Sequence, residues 1–151
     1  MIIEYKHNTA SEKEILDHLV NVAPYFVEDL TKRVDVEAYA KKLFSKAELE
    51  EAWVENDLIG LVAYYINEST CESFITNVSV SKEYIHQGIA TQLLQSAKEY
   101  SIKKGMRKIC LQVVNDDKLI KFYSNAGYTQ NNSKSAPNEY YMEMLLNSGE
   151  E

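Results

Sequence analysis

Apolar positions along this chain change their spacing from segment to segment, and each spacing marks an element. Residues 2–6 alternate well enough to read as a first strand. Ser11 stands three residues before Glu14, the pairing of a helix capping box, and Ile15, Leu16, Leu19 and Val20 then fall at helical spacing. A first helix should therefore run over residues 12–22 and end at Pro24, which offers no N–H to a helix ladder. Residues 25–46 are again helical by pattern, with Phe26, Val27, Leu30, Val34, Tyr39, Leu43 and Phe44 as apolar points. Asp35 is placed to cap a second piece, so two short helices fit better than one long one.

The period then drops to that of strands. Residues 48–54 and 58–66 read as a hairpin turning at Glu55, Asn56 and Asp57, and the second run is apolar throughout, as a strand buried on both faces would be. Residues 67–70 turn the chain and 71–80 form the next strand. From Ile89 the apolar positions Leu93, Leu94, Ala97 and Tyr100 return to helical spacing, and Lys103, Lys104 and Gly105 close that helix with positive charge and a glycine cap. Residues 108–114 are a strand, 116–125 a helix, Tyr128 begins a further strand, and 140–146 alternate as the last one, after a polar loop at 131–138. The order βααβββαβαββ suits the α/β (α+β) class, with a mixed, mostly antiparallel sheet of six to seven strands flanked by helices. Strands 71–80 and 108–114 are joined by a helix, so they should be parallel neighbours. With 151 residues, the chain is read as a single domain over residues 1–147, with 148–151 a frayed tail.

One turn carries chemistry. Ile85-His86-Gln87-Gly88-Ile89-Ala90 joins a strand to a helix, and a helix start leaves about four N–H groups without partners beside roughly half a positive charge. A phosphate satisfies both, and Gly88 lets the backbone turn sharply and a ligand come close. Alone, such a loop usually does no more than turn the chain.

Composition removes several other function classes. Lysine and arginine number 16 against 23 acids, a net charge of −7, and the resulting acidic surface argues against nucleic acid as a partner. Cys71 and Cys110 form no C-x-x-C pair and read as free thiols in a reducing compartment. His7 and His18 have no partners at ligand spacing, so no metal is expected. The N-terminus lacks the pattern of a signal peptide, and no apolar run approaches a membrane span, which points to a cytoplasmic protein without a membrane partner.

The flanks of the turn narrow the choice. Upstream lies Asn77-Val78-Ser79-Val80-Ser81, downstream Thr91-Gln92-Leu93-Leu94, and later Asn115-Asp116-Asp117-Lys118-Leu119-Ile120-Lys121-Phe122-Tyr123-Ser124-Asn125-Ala126-Gly127-Tyr128. Together these resemble the GNAT superfamily of acetyl-CoA-dependent N-acetyltransferases, closely over the C-terminal half and in layout only over the N-terminal half. The resemblance implies a splayed parallel strand pair that admits the cofactor's pantetheine arm. It implies backbone contacts to that arm from Val78, Ser79 and Val80, and a pyrophosphate held by the amides of His86, Gln87, Gly88, Ile89, Ala90 and Thr91.

The same resemblance implies direct acetyl transfer through a tetrahedral intermediate to a primary amine of a small molecule or peptide, and it allows a homodimer. Asn115 could bridge the cofactor arm or cap the following helix, and the two roles can coexist. Tyr123 matches the family's general acid for the departing thiolate, although a tyrosine sharing a helix face with Leu119 and Phe122 is ordinarily core. Two departures stand out. Ile85 occupies the place of the usual Gln or Arg, and Phe74 that of the usual Glu on the strand. Glu72, two residues earlier on the same face, is then the candidate base, with His86 or a water chain as alternatives. Tyr25, Tyr39, Tyr140 and Tyr141 could line an acceptor pocket. The reading from another class is a non-catalytic CoA-binding sensor or interaction module.

Overall fold

The unbroken apolar run becomes β3 (Asp57–Asn67) inside a seven-stranded sheet in the computed structural model, which describes residues 2–23, 35–136 and 139–146. Its partners are β1 (Glu4–His7), β2 (Glu48–Val54), β4 (Glu72–Val80), β5 (Lys108–Val114), β6 (Thr129–Gln130) and β7 (Glu139–Leu145). The strand order is β1-β2-β3-β4-β5-β7-β6, and every pair is antiparallel except β4 with β5. That is the mixed sheet with one parallel pair expected from the element order. Helices α1 (Glu12–Val22) and α2 (Val36–Lys46) cover one face; α3 (Ile89–Lys103) and α4 (Asp117–Asn125) cover the other.

Element bounds match the periodicity because strong local signals mark them. Ser11 accepts from the Glu14 amide while Glu14 reaches back to the Ser11 amide, completing the capping box, and Asp35 caps α2 through the Ala38 amide. The first strand is later and shorter than the alternation of residues 2–6 suggested. Pro24, Tyr25 and the first helical piece expected within 25–34 lie outside the described residues, as does the tail from residue 147.

Two apolar cores follow from the two covered faces. One gathers Ile59, Val62, Tyr64 and Ile75 with Ile89, Leu93, Leu94, Ala97 and Tyr123 beneath α3 and α4. The other gathers Ile15, Leu19, Ala40 and Leu43 with Leu49, Trp53 and Leu61 beneath α1 and α2. Gly60 matters to the first, since a Cβ there would sit 3.0 Å from Ile89 and 3.3 Å from Leu93. Its bareness lets the start of α3 rest directly on the sheet.

Two buried polar groups lock α1 in place. Glu51, wholly buried in β2, accepts from the Thr9 and Ala10 amides at 2.8 and 3.0 Å, from the Thr9 hydroxyl, and from the Trp53 indole at 2.9 Å. Four donors around one carboxylate hold the chain that leads into α1. His18 lies on the apolar stripe of α1 with Ile15, Leu19 and Val22. Its Nδ1 lies 3.1 Å from the Leu58 carbonyl, to which it donates, and its Nε2 lies 2.8 Å from the Ser79 hydroxyl.

Burial holds the His18 pKa down to about 4, against 6.5 for an ordinary histidine. Between those values the unfolded chain carries a proton on His18 that the folded chain does not, so the folded state loses ground as pH falls from 6.5 towards 4. His18→Gln removes this titration. The wild-type stability advantage over that variant, measured by urea unfolding, should shrink by about 3 kcal/mol between pH 7 and pH 4. An advantage that does not change with pH would show that the imidazole is not held neutral.

Candidate active site

β4 and β5 are paired over only four positions, from Glu72 opposite Lys108 to Ile75 opposite Leu111. Beyond them β4 stays with β3 as far as Val80 opposite Gly60, and β5 stays with β7 as far as Val114 opposite Glu139. The strands therefore part into a wedge. Its cause is a bulge: the β3 ladder passes from Tyr64 opposite Ile75 to Ala63 opposite Asn77, and Thr76 has no partner in either neighbouring strand. An extra residue bends and twists the strand that carries it, here away from β5. Val78 and Val80 are half-buried towards the α3 and α4 side, while Ser79 is buried against α1.

The turn stands at the end of β4. Lys82–Tyr84 form a short 3-10 turn, His86 has φ 65° and Gly88 φ 78°, and residues 85–88 are exposed. Gly88 is the N-cap of α3 and has no side chain with which to cap it. The first amide of this stretch with an acceptor belongs to Gln92, which donates to the Gly88 carbonyl at 3.0 Å. The amides of residues 86–91 have no acceptor among the described residues, so they are free to bind an anion. Ile85, at the position where a Gln or Arg was expected, is 45% exposed.

Tyr123 is buried in the same cluster as Ile75 and Leu111, the last pair joined before the wedge opens. Its ring meets Phe122 and Tyr128 edge-on at 5.0 and 6.0 Å. Its hydroxyl makes no hydrogen bond among the described residues, and burial pushes the phenol pKa up, so it stays protonated and able to donate. The Tyr128 hydroxyl is buried without a hydrogen-bond partner among the described residues.

The structure thus sets Val78, Ser79, Val80 and the turn from His86 to Thr91 in succession at the open end of β4, and Tyr123 in the core on the α3 and α4 side. Asn115 is exposed at the end of β5, but the helix cap assigned to it belongs to its neighbour. Asp116 accepts from the Leu119 amide at 3.0 Å and is the N-cap of α4. Asp and Asn serve that role equally well, and one residue of register decided between them.

Glu72 stands apart, in the first pair at the closed end of the wedge, with its carboxylate 3.5 Å from Lys108 Nζ. Six residues separate it from Val78, roughly 20 Å of strand. Phe74 is half-buried opposite Tyr65 and Cys110. Tyr141 lies between the ammonium groups of Lys108 and Lys134, at 5.2 and 5.1 Å, whereas Tyr140 packs into the core beneath α3 and α4. Burial pushes the Cys110 thiol up and keeps it unreactive. Among the described residues no three His, Cys, Asp or Glu side chains converge on a metal position, and no helix is long and apolar enough to cross a membrane.

Sequence reasoning missed the polar partners of β4. Tyr39 was noticed only as a lining residue, and its hydroxyl donates to the Thr76 carbonyl at 2.9 Å. His18 was set aside for lack of a metal partner, yet its place on an apolar helix stripe is the signal that it must be buried and satisfied.

Comparison with known proteins agrees with this geometry. The model of the acetyltransferase (GNAT) family matches residues 14–128. A probable N-acetyltransferase camello of Xenopus laevis is 29% identical over 79 residues, which is 51% of this chain and 36% of that relative, so the match spans little more than a third of its length. The paia N-acetyltransferase of Thermoplasma acidophilum, crystallised with coenzyme A, superposes with a TM-score of 0.78 at 19% identity, covering 96% of this chain and 99% of that one. A putative streptothricin acetyltransferase of Bacillus anthracis, in complex with acetyl-CoA, superposes with a TM-score of 0.58 at 21% identity over 68% of this chain and 64% of that one. At such identities the two structures establish a shared fold.

The capping assignment has a direct test in thermal or urea unfolding. Asp116→Ala should cost about 1 kcal/mol, and Asn115→Ala close to nothing. Equal losses at the two positions would return the cap to Asn115.

Proposed function

The chain belongs to the acetyltransferase (GNAT) family, and on that premise we propose that it moves an acetyl group from acetyl-CoA to a primary amine of a small molecule or peptide. The observation that carries this reading is the wedge between β4 and β5 with free amides at its open end. Both features match acetyl-CoA chemically. A diphosphate suits the amides of His86, Gln87, Gly88, Ile89, Ala90 and Thr91, and an arm built of two amide units suits the exposed backbone of Val78, Ser79 and Val80, pairing as an added strand would.

Acetyl-CoA supplies an activated acyl carbon and a thiolate leaving group. The chain has three tasks around them. The backbone of β4 holds the thioester arm in one direction, which converts transfer into an oriented encounter with the amine. Asn115, exposed at the end of β5, offers an amide to the same arm. Tyr123, in the core cluster that also holds Ile75 and Leu111, keeps its phenolic proton and gives it to the departing sulfur.

β4 contributes no carboxylate at the mouth, since its single acid, Glu72, is held by Lys108 at the far end. The amine therefore releases its proton to solvent, since His86 stands in the turn that takes the diphosphate, at the other end of the arm from the thioester. Ile85 leaves the diphosphate to backbone donors, which suffices because they number six.

Two measurements test the reading. Saturating acetyl-CoA should raise the melting temperature, with a stabilisation of about 2.7 kcal/mol at one hundred times its Kd. In a screen of amines followed by CoA thiol release, Tyr123→Phe should lower kcat on any active acceptor by about 10- to 1,000-fold while leaving the acetyl-CoA Kd within a few-fold. Unchanged turnover in Tyr123→Phe would remove the phenol from the chemistry. Tight binding without thiol release from any amine would favour the CoA-sensing module, to which the missing strand carboxylate also conforms.

A further inference from the structure

Past the bulge, residues 77–80 of β4 are held by β3 on one side and by no strand on the other. Such a half-strand has unpaired backbone along one edge and tends either to fray or to close onto its neighbour. Its spacing from β5 needs another source.

The structure supplies one from the face opposite α3 and α4. Tyr39 of α2 donates its hydroxyl to the Thr76 carbonyl at 2.9 Å and lies 2.8 Å from the Thr76 hydroxyl. His18 Nε2 of α1 lies 2.8 Å from the Ser79 hydroxyl, which donates to Asn77 Oδ1 at 2.8 Å. Asn21, one turn further along α1, donates to Ser81 at 3.2 Å. The helix contacts recur from the bulge to the residue just past the strand's end, and each comes from α1 or α2. Thr76 is the bulged residue itself, so the Tyr39 hydroxyl satisfies a carbonyl at the point where the ladder has been skipped.

We propose that Tyr39, His18 and Asn21 are positioning residues that hold the free half of β4 at the distance from β5 that admits the cofactor arm. They touch the strand and not the cofactor, and they act through the backbone of Val78, Ser79 and Val80. Two of them sit on a helix whose start is itself fixed by Glu51, so the clamp has a rigid base. The inference rests on the acetyl-CoA reading above.

Calorimetric titration with acetyl-CoA separates positioning from general stability. The variants are Tyr39→Phe, which removes one hydroxyl, His18→Leu, His18→Gln, which keeps a donor and an acceptor, and Ile15→Val. The last trims the buried core under α1 and leaves the clamp intact. Tyr39→Phe and His18→Leu should weaken the Kd about tenfold, and His18→Gln should stay within about threefold of wild type. Ile15→Val should lower the melting temperature with the Kd unchanged. Tyr39→Phe binding within twofold of wild type would overturn the clamp, as would an equal loss in Ile15→Val. A wild-type protein that does not bind acetyl-CoA would overturn the cofactor reading, and the clamp with it. Tyr39→Phe lies at the sheet surface and loses no packing atoms, so it stays informative should His18→Leu fail to fold.

Discussion

Pairing between β4 and β5 stops after four residues, and the functional reading depends on that stop. A β-strand that leaves its neighbour exposes donors and acceptors that a protein interior must satisfy in some other way. Here one side of β4 keeps its ladder with β3, and the bulge at Thr76 turns the other side towards an opening. The exposed edge is then a template for anything extended that carries amides of its own. Gly60 and Gly88 complete the arrangement from opposite directions. The first lets α3 sit close on the sheet, and the second leaves the start of that helix without a side-chain cap.

The two faces of the sheet divide the work. On the side of α3 and α4 lie the unpartnered amides of the turn and the ring of Tyr123 within the core. On the side of α1 and α2 lies a set of buried polar contacts that runs from Glu51 through α1 to Ser79 and Ser81. Buried polar groups cost stability unless satisfied, and the four donors around Glu51 show how this face meets that cost. The sheet between them transmits position: what α1 and α2 hold from below is the strand whose edge would face the cofactor.

Sequence neighbours and spatial neighbours differ most at Glu72. On paper it lies two residues from the place of the expected carboxylate, on the same face, which is reason enough to name it. In space it belongs to the closed end of the wedge and to Lys108. Strand geometry makes the difference severe, because each residue moves a side chain about 3.3 Å along the axis. Asn115 and Asp116 show the same sensitivity on a smaller scale, since adjacent residues of equal capping ability compete and the path of the chain out of β5 decides.

Local rules alone determined much of this protein. Capping boxes, glycine closures and the switch between periods of two and of about 3.6 were enough to place nearly every described element to within one or two residues. They were also enough to make β4 and β5 parallel, because each depends on residues a few positions apart. The glycine turn and the Tyr123 motif were legible for the same reason. What depended on residues far apart in the chain was not: that Thr76 is a bulge, that β4 and β5 separate after Leu111, that Tyr39 reaches Thr76 across 37 positions and His18 reaches Ser79 across 61. A bulge is a mismatch between two strands and a buried hydrogen bond is a meeting of two elements, so neither exists until the sheet and its helices have come together.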